Sequence, residues 1–164
     1  MNVADTVWIA LRKRNGDLRA IATISARDAT FVNHWQWRLG SKGYAKRSEG
    51  QSIIYLHREL LGLTPGDGLE ADHINRDKLD NRRNNLRSVT QEQNKQNTSS
   101  QRGASSKFRG VSWINRQKKP WQAQVYYQGR LVGLGHYALE EDAANVAEAF
   151  RLRYLPFSYE EQIA

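Results

Sequence analysis

The stretch of sequence that decides the fold is residues 70–94, EADHINRDKLDNRRNNLRSVTQEQN. We expect 70–73 and 86–89 to form two paired strands joined by a long polar loop. Thr90 and Gln93 fit a capping box, in which the hydroxyl and the amide satisfy each other's backbone N–H groups. A helix that begins there carries Asn94 at the end of its first turn. The segment therefore predicts a strand, a loop, a strand and a helix, which is a ββα unit.

Within this segment an acid precedes a histidine and two asparagines follow at fixed distances. Asp72 stands beside His73, and Asn85 and Asn94 lie twelve and twenty-one positions after the histidine. This pattern resembles the HNH endonucleases, which cut DNA with one divalent metal on a ββα-metal scaffold. The resemblance implies two catalytic residues, His73 as the general base and Asn85 as the amide that orients it. It also implies that Asp72 and Asn94 bind the metal.

These residue types suit phosphodiester hydrolysis. A histidine with a pKa near neutrality can take a proton from the attacking water, an effect worth about 10²–10⁴-fold in rate. Two protein oxygen ligands leave room for water and phosphate, which favours Mg²⁺ or Mn²⁺ over zinc. Neighbouring side chains on a regular strand point to opposite faces, so a twist or bulge must bring Asp72 and His73 together.

Several neighbours of the motif have two interpretations. Arg76 stands where related phage proteins commonly have glycine, which leaves the conformation of the loop open. Asp80 and Asn81 are expected to shape the loop by bonding to its backbone. His57 lies on a helix predicted over 53–61, where a packed histidine is favoured over a catalytic one, although family members often carry a histidine here.

The chain of 164 residues has a formal net charge of +8 and a pI near 9.9, which indicates an anionic partner, most simply nucleic acid. A solvated basic surface is the alternative, for the whole chain and for the basic residues of the motif loop. Beside the motif we favour phosphate contacts for these arginines: Arg76, Arg82, Arg83 and Arg87. The chain has no cysteine, so disulfides and thiolate zinc sites are excluded. No apolar run approaches the roughly 20 residues of a membrane span.

The rest of the chain divides by composition. Residues 7–63 predict a small mixed layer with a hairpin at Asn15-Gly16, a short helix within 25–33, a strand over 35–39 and the helix over 53–61. With the motif they make an endonuclease domain over 1–98, whose ββα-metal core covers about 69–98. Residues 99–106 are small and polar, which is typical of a linker.

The pattern changes after the linker, in a second domain over 107–157. Three strands are expected over 108–114, 121–127 and 130–137, with a turn at Gln128-Gly129 and a helix over 139–154. The segment resembles the AP2 DNA-binding domain in residues 109–113, 121–125, 134–137 and 140–144. That family places a three-stranded antiparallel sheet in the major groove and packs one helix behind it. The fold class expected for the whole chain is therefore α+β, a mixed N-terminal layer and ββα-metal core linked to an AP2-type sheet.

Charge is segregated in this second domain, because 101–138 contains seven basic residues and no acids while the helix is acidic. Arg109 and Gln122 are candidates for contacts to base edges, since arginine pairs well with guanine and glutamine with adenine. Trp113 and Trp121 are expected in the core. The full set of predicted DNA-binding residues here is Arg109, Arg116, Lys118, Lys119, Gln122, Gln124 and Arg130.

The sequence therefore predicts a metal-dependent DNA endonuclease that acts on double-stranded DNA. The two-part architecture resembles the homing endonucleases of bacteriophages, free-standing or intron-encoded, which work in the cytoplasm of the bacterial host. A monomer with one active site would nick one strand. The alternative function is a sequence-specific DNA-binding protein whose HNH site is disabled. An RNA-directed protein is a weaker alternative, because sequence-specific RNA recognition mostly targets single strands.

Overall fold

The computed structural model describes residues 5–98, 103–115 and 118–158. The chain forms two compact units, Met1–Lys95 and Gln96–Ala164. The predicted linker residues 99–102 and the predicted DNA contact Arg116 lie outside the described residues. The architecture is mixed α and β, with several small sheets and few helices. None of the helices in the described part of the chain has the length and hydrophobicity of a membrane span.

Eleven strands and four helices are present in the described residues. The strands are β1 Thr6–Arg12, β2 Leu18–Ser25, β3 Arg38–Leu39, β4 Ala45–Glu49, β5 Ser52–Tyr55, β6 Glu70–His73, β7 Asp80–Asn81, β8 Leu86–Val89, β9 Val111–Trp113, β10 Trp121–Tyr127 and β11 Arg130–Tyr137. The helices are α1 Ala29–Asn33, α2 Leu56–Leu60, α3 Gln91–Asn94 and α4 Glu140–Tyr154.

The first unit contains three small sheets around one apolar core. The predicted hairpin is confirmed, because β1 and β2 pair antiparallel across a turn in which Gly16 has a φ of +91°. The strand β7 adds to β2 in parallel, and β3, β4 and β5 form a second sheet. The core is built from residues of the hairpin, α1 and α2, and its fully buried side chains include Leu11, Ile24, Val32 and Leu56.

Two predictions in this unit need correction. The helix expected over 53–61 begins only at Leu56, because the preceding residues form β5 and pair with β4. Ile53, Ile54 and Tyr55 are β-branched or aromatic residues, which favour strands. The strand expected over 35–39 is limited to Arg38–Leu39. Trp37 is buried instead, and its Nε1–H donates to the carbonyl of Val32 at 2.9 Å.

The predicted ββα unit is confirmed. Strands β6 and β8 pair antiparallel, with Asp72 opposite Arg87. The capping box is formed at the start of α3, where the backbone N–H of Gln93 donates to Thr90 Oγ1 at 3.2 Å and Gln93 Oε1 accepts from the backbone of Thr90 at 2.8 Å. The helix is a single turn, so its last residue, Asn94, stays close to the two strands.

The second unit is a three-stranded antiparallel sheet in the order β11-β10-β9, with α4 packed on one face. The turn between β10 and β11 has positive φ at both central residues, +48° at Gln128 and +77° at Gly129, as tight hairpins require. Ala123 and Val125 of β10 are buried against Ala143 and Ala147 of α4. These two residues of β10 therefore face the helix.

Trp113 is not a core residue, because 52% of its surface is exposed. Its ring contacts Trp121, which packs against the core, edge-on with 4.9 Å between the ring centres. Two residues of the predicted linker are hydrogen-bonded within this unit. Ser105 Oγ accepts from the backbone of Trp113 at 2.8 Å, and the buried hydroxyl of Ser106 donates to Glu140 at 2.6 Å. The predicted domain limits themselves stay a prediction.

Candidate active site

The residues of the motif lie at the ends of the elements of the ββα unit. Asp72 and His73 end β6, Asn85 directly precedes β8, and Asn94 ends α3. The register places His73 opposite Leu86, so Asn85 lies beside the histidine in the folded chain. Asp72 and His73 are both buried although they are neighbours on one strand.

The His73 ring is held by an asparagine that the motif spacing did not indicate. His73 is 4% exposed, and its Nε2 lies 3.4 Å from Asn81 Oδ1. The amide of Asn81 is oriented by its own Nδ2, which donates to the carbonyl of Leu79 at 3.1 Å. Because Asn81 therefore presents an acceptor, the proton of the neutral ring belongs on Nε2 and the lone pair on Nδ1.

Burial sets the protonation state of this histidine. Desolvation lowers the pKa of His73 below its usual 6.5, against the opposing effects of the Asn81 hydrogen bond and the Asp72 carboxylate. The neutral ring therefore persists at neutral pH, which is the form that a general base requires.

The amide of Asn85 bonds away from His73, and its predicted orienting role stays a prediction. Both hydrogens of its amide are used away from the histidine, since Nδ2 donates to Asn75 Oδ1 at 2.9 Å and to the Asp80 carbonyl at 2.8 Å. Its Oδ1 accepts from the backbone N–H of Asn75 at 2.9 Å. Asn85 therefore ties the two ends of the loop together, and the amide that meets His73 is that of Asn81.

Asp80 anchors the same loop from within. Its carboxylate accepts from Asn75 Nδ2 at 2.9 Å and from Arg82 at 2.7 and 2.6 Å. Burial alone would raise the pKa of Asp80, but the hydrogen bonds and charge of Arg82 lower it below the usual value. The predicted loop-shaping role of Asp80 is confirmed by these contacts.

Arg76 occupies a backbone conformation that normally favours glycine. Its φ is +65°, in the left-handed region, which is unfavourable for most side chains by roughly 1–2 kcal/mol. The resemblance to phage proteins stated above implies that glycine is common at this position. The loop of this chain keeps the glycine-like conformation while it carries a cation.

The predicted metal ligands are held by charged neighbours. Asp72 Oδ2 accepts from Arg87 Nε at 2.8 Å and pairs with Arg87 Nη2 at 2.7 Å. Asn94 Nδ2 donates to Glu70 Oε2 at 2.5 Å. Burial raises the pKa of Tyr44, and the charges of Asp72 and Glu70 raise it further. The oxygen donors of these residues are therefore the carboxylates of Asp72 and Glu70 and the amide of Asn94.

This donor set fits a hard divalent cation. Carboxylate and amide oxygens are the ligands that Mg²⁺ and Mn²⁺ prefer. Among residues 5–98, 103–115 and 118–158 no group of three or more His, Asp or Glu side chains is arranged to hold a metal. Asp72 and Asn94 would therefore supply only part of a coordination shell, which water and phosphate oxygens complete, as Mg²⁺ sites commonly require.

His57 packs directly against His73. It is 6% exposed, and its ring centre is 5.0 Å from that of His73 and 4.8 Å from that of Tyr44. Burial, with smaller contributions from the charges of His73 and Arg58, lowers the pKa of His57 to about 3. Its buried Nδ1 has no hydrogen-bond partner among the described residues. The packed interpretation is confirmed, and the packing is against the active-site ring itself.

Three of the arginines predicted to contact phosphates are paired with carboxylates of the same unit. Arg82 pairs with Asp80 and Arg87 with Asp72, as above. Arg83 Nη2 lies 2.8 Å from Oδ1 of the buried Asp28. This ion pair connects the loop to the N-terminal layer. The predicted phosphate contacts of these arginines and of Arg76 stay a prediction. For Arg82, Arg83 and Arg87, a phosphate contact would compete with the ion pair.

On the second unit, two of the predicted DNA-binding residues, Gln122 and Gln124, lie on the outer face of the sheet. Gln122 and Gln124 are half-buried and alternate with the buried Ala123 and Val125, so they occupy the face opposite α4. Gln122 stands directly opposite Ser112 and His136 on the two neighbouring strands. Three predicted DNA-binding residues are exposed outright: Lys118, Lys119 and Arg130.

Arg109 is engaged elsewhere. Its Nη1 donates to Ser158 Oγ at 2.8 Å, in the segment that follows α4, and its carbonyl accepts from Arg151 at 2.8 Å. A base contact by Arg109 stays a prediction that requires the bond to Ser158 to break.

Sequence reasoning missed the contributions of Glu70, Tyr44 and Asn81. A signal existed for Glu70, because it lies two residues before Asp72 on a strand and therefore on the same face. Asn81 was noted only as a loop residue, and Tyr44 carried no pattern at all.

Comparison with known proteins points to the same region. Residues 58–96 match the profile of a family described as HNH endonuclease. An uncharacterized HNH endonuclease of Acanthamoeba polyphaga mimivirus is 32% identical over 130 residues, which cover 76% of this chain and 65% of the viral protein. The chain thus spans about 65% of the length of that relative. No solved structure matches the chain. Residues 58–96, which carry the ββα unit, are therefore similar to the HNH endonuclease family.

Proposed function

We propose that this protein is a DNA endonuclease that hydrolyses phosphodiester bonds with His73 as general base and one divalent metal, Mg²⁺ or Mn²⁺. The observation that carries the proposal is the buried His73 ring, whose Nε2 faces Asn81 Oδ1 at the end of a strand that also bears Asp72. The match of the HNH endonuclease family to this same segment supports it.

In the proposed reaction, His73 takes a proton from the attacking water at Nδ1. Asn81 keeps the ring in the required tautomer because it accepts at Nε2, and the positive charge that develops on the ring is stabilised by that same oxygen and by Asp72. The loop that carries Asn81 is rigid, since Asn85 and Asp80 bond across it. Preorganised positioning of this kind avoids reorganisation during the reaction.

Asp72 and Asn94 would hold the metal through their side-chain oxygens. When bound, the metal supplies charge stabilisation at the phosphate and for the departing 3′ oxygen. Arg87 contacts Oδ2 of the Asp72 carboxylate through two nitrogen atoms, which fixes the orientation of this proposed metal ligand.

The second unit would bind duplex DNA as an AP2-like reader. Its observed sheet order, its helix on one face and its polar outer face around Gln122 and Gln124 support this role. The basic outer residues would contact phosphates and add affinity without sequence choice. We further propose a homing type of enzyme, encoded by a bacteriophage or an intron and active in the bacterial cytoplasm, that nicks one strand as a monomer on DNA.

A second candidate function is a sequence-specific DNA-binding protein whose HNH site is disabled. Arg76 is the observation in its favour, because a charged residue occupies a left-handed position of the active-site loop. That function predicts duplex binding without metal and no cleavage at any metal concentration.

The deciding experiment is a supercoiled-plasmid assay with Mg²⁺, Mn²⁺ or EDTA, with plasmid libraries of phage DNA as substrates. The expected result is metal-dependent nicking by the wild-type protein and none by His73→Ala. Salt-sensitive duplex binding by both proteins is the control for folding. Equal cleavage by His73→Ala would contradict the proposed base, and duplex binding without cleavage of any library would favour the second candidate.

A further inference from the structure

Glu70 lies beside the proposed metal ligands and forms a hydrogen bond with one of them, Asn94. It begins β6, two residues before Asp72, so both carboxylates are on the same face of the strand. Its Oε2 accepts the 2.5 Å hydrogen bond from Asn94 Nδ2, which crosses from the end of α3 to the start of β6. Neither partner is fully exposed.

The chemistry of this pair determines which way the amide faces. An ionised carboxylate is an acceptor only, whereas an asparagine side chain has a donor end and an acceptor end. The carboxylate of Glu70 therefore bonds to the NH₂ group of Asn94, and Asn94 Oδ1 faces away from Glu70. Oδ1 is the atom that a hard cation would bind.

We propose that Glu70 is a positioning residue that orients the amide of Asn94 for metal binding. The inference rests on the proposed function, in which Asp72 and Asn94 hold the metal. Residues that orient a metal ligand through a hydrogen bond typically change metal affinity by 10–100-fold when they are replaced. Glu70 also adds a negative charge beside the site, and this contribution is separable from its hydrogen bond.

The test measures Mn²⁺ affinity of the full-length protein without DNA, by electron paramagnetic resonance of the free ion. Glu70→Ala removes the acceptor and is expected to weaken Mn²⁺ binding by 10–100-fold. Glu70→Gln can still accept from Asn94 and is expected to stay within a few-fold of the wild-type affinity. Glu92→Ala is the matched control, because it removes the same charge from an exposed position on α3 and is expected to bind Mn²⁺ as the wild type does.

A double-mutant cycle separates positioning from direct ligation. If Glu70 acts through Asn94, then Glu70→Ala has no further effect on Mn²⁺ affinity in an Asn94→Ala background. Independent losses in the two variants, or a loss in Glu70→Gln as large as in Glu70→Ala, would show that the carboxylate binds the cation itself and overturn the proposal. Unchanged affinity in Glu70→Ala would overturn it as well.

Failure of the proposed function gives a different result. If the wild-type protein binds no Mn²⁺, or if Asp72→Asn binds it as tightly as the wild type, the metal site itself is wrong and the inference falls with it. Duplex binding in EDTA and the thermal unfolding midpoint of each variant exclude loss of folding as the cause.

Discussion

Acidification tests the buried histidine pair most directly, and His57 is the residue to perturb. The ring lies among those of Tyr44, Tyr55 and His73, and it is 6% exposed. Burial lowers its pKa to about 3 in the folded chain, whereas the ordinary value is 6.5. The unfolded chain therefore binds a proton over a pH range in which the folded chain does not.

The sign and size of the effect follow from this difference. The folded pKa is the lower one, so stability is highest above pH 6.5 and is lost as the pH falls from 6.5 toward 3. Each pH unit inside that window removes about 1.4 kcal/mol from the free energy of unfolding. Between pH 7 and pH 5 the loss from His57 is about 2 kcal/mol, a large fraction of the 5–15 kcal/mol typical of a domain.

The assay compares urea unfolding at pH 7 and pH 5 for the wild type and for His57→Phe. Phenylalanine keeps an aromatic ring in the same space but cannot take a proton, so the acid sensitivity of the first unit should shrink by about 2 kcal/mol. The control is His34→Phe, which replaces an exposed ring that meets solvent in both states and should leave the wild-type acid sensitivity intact.

Nuclear magnetic resonance gives an independent measurement on the same proteins. The C2–H signal of His57 should not titrate between pH 7 and pH 5 in the folded protein. A midpoint near 6.5 for that signal, or equal acid sensitivity of the wild type and His57→Phe, would refute the reasoning from burial.

Four further outcomes are expected. The cleavage rate should fall on acidification with a midpoint below 6.5, because burial lowers the pKa of His73; a midpoint above 6.5 in the pH–rate profile contradicts this. Asn81→Ala should slow cleavage by roughly 10²-fold, because the His73 ring loses the acceptor that orients it. Duplex affinity in EDTA should stay unchanged. An unchanged cleavage rate would show that Asn81 does not orient the ring. Arg76→Gly should leave the free energy of unfolding the same or higher, because glycine tolerates a φ of +65°. If Arg76 contacts a phosphate, the same substitution should reduce the slope of log affinity against log salt concentration by about one. Gly110→Ala should lower the unfolding midpoint of the second unit more than Gly129→Ala does. A Cβ at position 110 would lie 2.5 Å from the Gln124 carbonyl oxygen, whereas a Cβ at position 129 meets open space. Both glycines have positive φ, so equal losses in the two variants would exclude the clash as the cause.

The sequence alone predicted those elements whose bounds depend on residues close together in the chain. The alternation in 121–127 and the turn at Gln128-Gly129 predicted β10 and β11 to the residue. The capping box at Thr90 predicted the start of α3. These signals are local, because capping, turn conformation and side-chain alternation act within a few residues.

The same reasoning failed where the pairing of strands and the packing of side chains decide the structure. Residues 53–55 satisfy a helical spacing, but pairing with β4 draws them into a sheet and delays the helix to Leu56. Trp113 has the size of a core residue, yet it projects from a short strand and remains half-exposed.

For the site, the sequence by itself predicted the kind of chemistry, from an acid, a histidine and amides at the spacing of the motif. Only the tertiary structure decided how those residues are used. Asn81 rather than Asn85 meets His73, Arg87 holds Asp72, and Glu70 holds Asn94. The physical reason is that hydrogen bonds form over about 3 Å between side chains whose positions depend on the path of the loop, and that path is set by contacts between residues far apart in the chain.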